Sequence, residues 1–240
     1  DEKDLFQLFR SRNLELIREQ PFSFWLCPTF ACNLRCTYCF EGESKSESGV
    51  MTTKMIRAAF TAMHALNTAK KKPTLNIYGG EPLMASTLGA VSVILEHAGR
   101  EYTVNIITNG TQIPCAIPML KHHRDAIHRV QVTIDGVEDV HDAVRRYSPD
   151  VGSFDQVVAG VDALLEAGLK TQIRTNLDRN GFEHFPEFVA FTKNKGWLDN
   201  SLASFYFTMT NDRHCAGLTD CLDEVETAAA IINIRENMPD

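Results

Sequence analysis

The chain has 240 residues, 44% of them hydrophobic, enough to bury a sizeable core in one domain. Its formal net charge of −7 excludes the basic face that non-specific nucleic-acid binding needs, and no apolar run reaches membrane-spanning length. Seven cysteines, three of them tightly clustered, suit metal ligation in a reducing, cytoplasmic compartment rather than a disulfide framework.

Leu5, Leu8, Phe9, Leu14, Leu16 and Ile17 recur at helical spacing, so residues 1–20 are predicted to form a helix packing on the barrel that follows. An apolar run at 22–27 reads as the first strand and leads into Cys32-Asn-Leu-Arg-Cys36-Thr-Tyr38-Cys39. Three thiolates at these spacings can wrap one cubane iron–sulfur cluster and leave its fourth iron without a protein ligand, which suits chemistry at the cluster rather than electron storage. Two plainer readings stay open on the triplet alone: a zinc ion with a fourth ligand from elsewhere, and half of a four-cysteine ferredoxin-type site. The polar stretch 41–48 follows as the most loop-like segment.

Beyond it, helical patterns at 52–69, 85–99, 117–128, 154–167, 185–196 and 222–237 alternate with strand-like runs at 74–79, 103–109, 130–135, 170–176 and 204–210. Ser153 and Asp155 mark the start of the helix at 154–167, and Gly168 its stop. Six strand–helix units in alternation imply parallel strands with right-handed crossovers. Val130, Val132 and Ile134 oppose Gln131, Thr133 and Asp135 across one strand. Ile173 likewise opposes Gln172, Arg174 and Asn176, and Leu75 and Ile77 oppose Thr74, Asn76 and Tyr78. Polar residues on one face of several strands predict an α/β fold, a partial (open) β/α barrel over 21–240 whose lumen holds a polar ligand; a sheet with one wetted face is the alternative.

The second strand ends in Tyr78-Gly79-Gly80-Glu81-Pro82-Leu83. Two glycines let the backbone approach a ligand closely, Glu81 can accept from an ammonium group, and Pro82 fixes the departing chain. Alone this is an ordinary turn; at the carboxyl end of a barrel strand it becomes a binding candidate. The eight histidines form no metalloprotease pair, and no Ser–His–Asp order or phosphate loop is present. His141 reads as structural, His122 and His123 as solvated, and Cys27 and Cys115 as small buried hydrophobes.

The cysteine run followed by Gly79-Gly80-Glu81-Pro82 resembles the radical S-adenosylmethionine (SAM) superfamily. The runs Ile107-Thr108-Asn109-Gly110-Thr111, Val132-Thr133-Ile134-Asp135-Gly136, His141-Asp142 with Arg145 and Arg146, and Gly152-Ser153-Phe154-Asp155 resemble its peptide- and protein-modifying subgroup. That subgroup includes anaerobic sulfatase-maturing enzymes and maturases of ribosomal peptides. The resemblance implies a [4Fe–4S] cluster on Cys32, Cys36 and Cys39, with SAM chelating the open iron. It implies reductive cleavage to a 5′-deoxyadenosyl radical that takes a hydrogen atom from a peptide or protein substrate. By the same carry-over, Gly79, Gly80 and Glu81 meet the methionine amine, the backbone near Tyr38 lies beside the adenine, and Thr133 serves the ribose. Asn109 is a second cofactor contact, and Arg145, Arg146 or Arg174 pairs with the methionine carboxylate. Asp135, Asp142 or Asp212 would remove a proton from the radical intermediate. A flavodoxin or ferredoxin would supply the electron, and neither nucleic acid nor a membrane is a partner. Many relatives carry auxiliary clusters in a cysteine-rich extension. Here only Cys215 and Cys221 lie in the neighbourhood that follows the sixth strand, too few for a cluster; the extension is either absent or lies beyond this sequence, where an auxiliary iron–sulfur cluster would be expected.

Overall fold

The computed structural model describes residues 2–39, 49–68, 71–209 and 222–237. Strands β1 (Ser23–Leu26), β2 (Thr74–Ile77), β3 (Thr103–Thr108) and β4 (Ile127–Thr133) run parallel, each beside the next. A short antiparallel hairpin of β5 (Arg146–Ser148) and β6 (Val151–Gly152) interrupts the series. β7 (Thr171–Leu177) and β8 (Ala203–Met209) then complete a six-stranded sheet in the order β1-β2-β3-β4-β7-β8. β1 and β8 are its edges and do not pair with each other, so the barrel is open, as expected. The helices are α1 (Glu2–Glu19), α2 (Thr53–Leu66), α3 (Leu88–Ala98), α4 (Ile113–His122), α5 (Glu138–Val144), α6 (Phe154–Glu166), α7 (Arg179–Glu183), α8 (Phe185–Asn194) and α9 (Glu224–Asn237).

The strand faces divide as the alternation requires. Leu75, Ile77, Val130, Val132, Ile134 and Ile173 are fully buried in one core with Ile94 of α3, Leu120 of α4 and Val161 of α6. The opposite face is polar: Asn76, Asn105, Gln131, Thr133 and Asp135 are buried at its centre, Arg174, Asn176 and Thr208 are half-buried, and Ser23 and Ser204 are exposed. Asn76 Nδ2 donates to Ser23 Oγ at 3.0 Å, Asn105 Nδ2 to Asn76 Oδ1 at 3.0 Å, and Tyr206 Oη to Gln131 Oε1 at 2.8 Å. Buried polar groups persist when they are paired in this way, so the centre of the polar face is a lined lumen, while its edge strands β1 and β8 stay partly exposed.

Several expectations change. The helix expected at 117–128 runs from Ile113 to His122, with Pro118 inside it, because a turn at 123–126 brings β4 in early. α5, α7 and the hairpin add to the simple alternation. The helix expected at 1–20 forms, but Leu5, Phe6, Leu8 and Phe9 are 63–69% exposed, so the described residues do not cover its apolar stripe. Cys115 is exposed, because α4 buries Ile113, Ala116 and Leu120 and turns the intervening residue outward. Residues 41–48, Asp212, Cys215 and Cys221 lie outside the described residues. No described helix is long and apolar enough to cross a membrane.

Candidate active site

The loop that carries the cysteines crosses the carboxyl ends of the strands, and the two glycines after β2 let it do so. Gly79 has φ +143°, and a Cβ there would lie 2.3 Å from Thr29 O. A Cβ at Gly80 would lie 2.2 Å from Ala31 O. The backbones instead meet through Gly80 N–H to Thr29 O at 3.0 Å and Glu81 N–H to Ala31 O at 2.8 Å. Farther along, Arg35 N–H donates to Arg146 O at 2.7 Å and Thr37 N–H to Val144 O at 2.9 Å, tying the loop to the end of α5.

Glu81 is fully buried. Its Oε1 accepts from Leu83 N–H at 2.8 Å and Thr108 Oγ1 at 2.6 Å, and its Oε2 from Asn109 N–H at 2.6 Å. Burial pushes its pKa up, and these donors pull against that shift. The carboxylate thus joins the end of β2 to the end of β3. Asn109 is fixed in turn: its Oδ1 accepts from Thr111 N–H and Oγ1, and its Nδ2 donates to Asn33 Oδ1 at 2.8 Å and faces Cys32 Sγ at 3.8 Å.

The far side of the loop is held by Tyr38. Its hydroxyl donates to Asp135 Oδ2 and accepts from Arg145 Nη1 at 2.6 Å and Asn176 Nδ2 at 3.1 Å. Asp135 Oδ1 accepts from the backbone and side-chain N–H groups of Asn176 at 2.8 and 3.0 Å. Burial pushes the Tyr38 hydroxyl well above the ordinary phenol value and raises Asp135 above the ordinary carboxyl value. Burial would lower the Arg145 pKa, yet the neighbouring Tyr38, Cys36 and Asp135 hold it well above the ordinary guanidinium value. Arg174 Nε donates to Asn176 Oδ1 at 2.9 Å and its Nη2 to Thr208 Oγ1 at 3.2 Å.

These groups surround one cavity of about 450 Å³. Cys32, Cys36 and Cys39 line it together with Tyr38, Gly79 and Gly80. Asn109, Thr133, Arg145 and Arg174 complete the sequence-predicted residues on its wall. Glu81 and Pro82 do not line it; they brace the turn behind the glycines. Neither Asp135 nor Asp142 lines it. Asp135 is spent on Tyr38 and Asn176, and Asp142 Oδ1 accepts from Ser153 N–H at 2.7 Å and Phe154 N–H at 2.9 Å at the start of α6. His141 is fully buried between Asp135 N–H and Ser153 Oγ, a structural placement. Sequence reasoning missed Tyr78, Asn176, Thr208 and Met209 as wall residues. Asn176 was already on the polar face of its strand, and Thr208 is its register partner on β8, so the alternation carried the signal.

The donor set fits a cubane. Cys32, Cys36 and Cys39 offer the thiolates that an iron–sulfur cluster takes, and all three line the same cavity. Arg174 is held by neutral partners, and among the described residues no carboxylate pairs with it, leaving a positive charge on the wall for an anionic group. Arg145 Nε is buried without a partner among the described residues.

The Radical SAM superfamily profile matches residues 26–192, well over half of the chain. The "cysteine-type anaerobic sulfatase-maturating enzyme" of Clostridium novyi is 27% identical over 173 residues, which cover 68% of this chain and 45% of that protein. The "AdoMet-dependent heme synthase" of Methanosarcina barkeri is 29% identical over 171 residues, covering 70% of this chain and 46% of that protein. The chain thus spans about half the length of the curated relatives it matches. Among solved structures, native anSMEcpe with bound AdoMet and Cp18Cys peptide superposes with a TM-score of 0.71 at 20% identity, covering 90% of this chain and 59% of that one. This chain belongs to the radical SAM superfamily, whose enzymes use a [4Fe–4S] cluster and S-adenosylmethionine.

Proposed function

We propose that this chain is the radical-generating barrel of an enzyme that removes a hydrogen atom from a side chain of a peptide or protein, leaving a thioether or carbon-linked crosslink or an oxidised residue. The observation that carries the reading is the convergence of three cysteines, the glycine turn and the polar ends of β3, β4 and β7 on one cavity. A peptide substrate is supported by the sulfatase-maturating relative and by the peptide bound to the structural neighbour. When bound, the cluster and S-adenosylmethionine supply one-electron cleavage of a sulfonium and a carbon radical that can take a hydrogen atom.

The chain's residues bind, orient and enclose. Cys32, Cys36 and Cys39 would hold the cluster, and Asn109 would direct an N–H at the Cys32 sulfur. Gly79 and Gly80 would offer their backbone to the methionine amine, Arg174 its charge to the carboxylate, and Thr133 its hydroxyl to the ribose. The lumen would keep water and stray hydrogen donors away, so that the target is held close to the reacting carbon. A flavodoxin- or ferredoxin-type protein would deliver the electron. Formylglycine formation is the second reading, favoured by the 27% identity to the sulfatase-maturating enzyme.

The test is anaerobic reconstitution with iron and sulfide, then S-adenosylmethionine, dithionite and a cysteine-bearing peptide deuterated at the carbons of all its residues. 5′-Deoxyadenosine carrying deuterium is the expected product. An intact cluster with no 5′-deoxyadenosine above background overturns the enzymatic reading in favour of an electron carrier. A hydrazide-reactive aldehyde in the peptide marks formylglycine, and a crosslinked peptide marks the first reading.

A further inference from the structure

Tyr38 sits between two of the cluster cysteines, and its hydroxyl is saturated by Asp135, Arg145 and Asn176. Arg145 Nη1 also lies 3.9 Å from Asp135 Oδ2, and the two side chains are only 9% and 2% exposed. One buried cation and one buried anion therefore flank a phenol carried on the cluster loop, where solvent screens their fields weakly. They are not equivalent. Arg145 lines the cavity beside the three cysteines; Asp135 stands behind Tyr38.

We propose that Arg145 and Asp135, bridged by the Tyr38 hydroxyl, set the reduction potential of the cluster in opposite directions, Arg145 raising it and Asp135 lowering it. Reduction takes one electron from a low-potential donor of the flavodoxin or ferredoxin class, or from dithionite in the test tube. It adds one negative charge to the cluster and forms or breaks no bond. A cation on the wall stabilises the reduced form, an anion behind it destabilises that form, and the phenol fixes the separation of the two. The inference rests on the family's cluster and not on the peptide-substrate reading, so its test contains no peptide.

The experiment is a redox titration followed by electron paramagnetic resonance on the anaerobically reconstituted chain, without S-adenosylmethionine. The parent is compared with Asp135→Asn, Arg145→Gln and Arg145→Lys at matched iron content. Asp135→Asn is expected to raise the reduced-to-oxidised ratio at fixed potential about tenfold, which is about 59 mV for one electron. Arg145→Gln is expected to lower it by a similar factor, and Arg145→Lys, which keeps the charge, to stay nearer the parent. Shifts of the same sign in Asp135→Asn and Arg145→Gln overturn the proposal, as does an unchanged potential in either. If Arg145→Gln fails to take up iron, the rise in Asp135→Asn and the near-parent value in Arg145→Lys decide the matter.

Discussion

At the scale of single residues, the glycines after β2 show how a motif can be right in place and different in reason. The paired glycines suggest backbone approaching a ligand. Gly79 and Gly80 do line the cavity, but the missing Cβ atoms are first needed by the cysteine loop, whose carbonyls at Thr29, Phe30 and Ala31 occupy that space. The crowding atoms are backbone and have no flexible end to move. Gly80→Ala is therefore expected to displace the loop, at a cost of about 1–3 kcal/mol for overpacking, and to reduce iron uptake on reconstitution. Gly89 in α3 has nothing within 4 Å of a built Cβ, so Gly89→Ala is the control and should keep iron content at the parent level and melting temperature at or slightly above it, alanine being the better helix former. Equal iron content in the two variants would show that the loop does not depend on that close approach.

At the scale of elements, length decided what could be read. β3, β4, β7 and β8 have six or seven residues each, enough for alternation to assign a face. β5 and β6 have three and two, too few for any period. Yet the hairpin unites two runs that stand apart in the sequence. His141 and Asp142 lie on α5, Gly152 on β6 and Ser153 at the start of α6. A Cβ on Gly152 would lie 1.8 Å from Asp142 Oδ2, so the glycine admits the carboxylate to the first N–H groups of α6. Ser153 precedes the helix without making a side-chain cap of its own. Asp142 supplies what a capping side chain would, an acceptor and a negative charge at the positive end of the helix. Asp142→Ala should cost about 1–2 kcal/mol, or roughly 2–8 °C in melting temperature for a chain of this size. Asp142→Asn keeps the acceptor and should recover most of that loss. Equal melting temperatures for the two variants would refute a capping role.

At the scale of the whole molecule, the boundary between what was legible and what was not follows distance along the chain. The cysteine spacing and the strand faces are local patterns; the faces are found as read, and the three cysteines come to line one cavity. The polar network behind the cavity is not local: Tyr38 meets Asp135, Arg145 and Asn176 across 97, 107 and 138 residues, and no local period encodes such pairings. His141 belongs to the same buried layer and links it to global stability. Ser153 Oγ donates to Arg145 O at 2.8 Å, so the His141 Nε2 facing it at 3.1 Å carries the proton. Nδ1 accepts from Asp135 N–H at 3.2 Å, so the ring is neutral. Burial, and then the Arg145 charge, hold its pKa well below the ordinary value. Below about pH 6.5 the unfolded chain takes up a proton that the native ring refuses. The stability due to neutral His141 is therefore complete above that pH and is lost as pH falls toward the lower native pKa. Asp135 and Glu81, both pushed up by burial, act in the opposite direction, so the total curve mixes signs. A difference between two proteins isolates the histidine. His141→Gln should melt below the parent at about pH 7.5, where it forfeits buried hydrogen bonds worth about 1–3 kcal/mol. The gap should close toward pH 5.5 with a slope of at most about 1.4 kcal/mol per pH unit, because only the parent has this proton to exclude. Parallel curves would mean that the buried imidazole accepts its proton in the native fold, and the neutral layer behind the cavity would have to be redrawn.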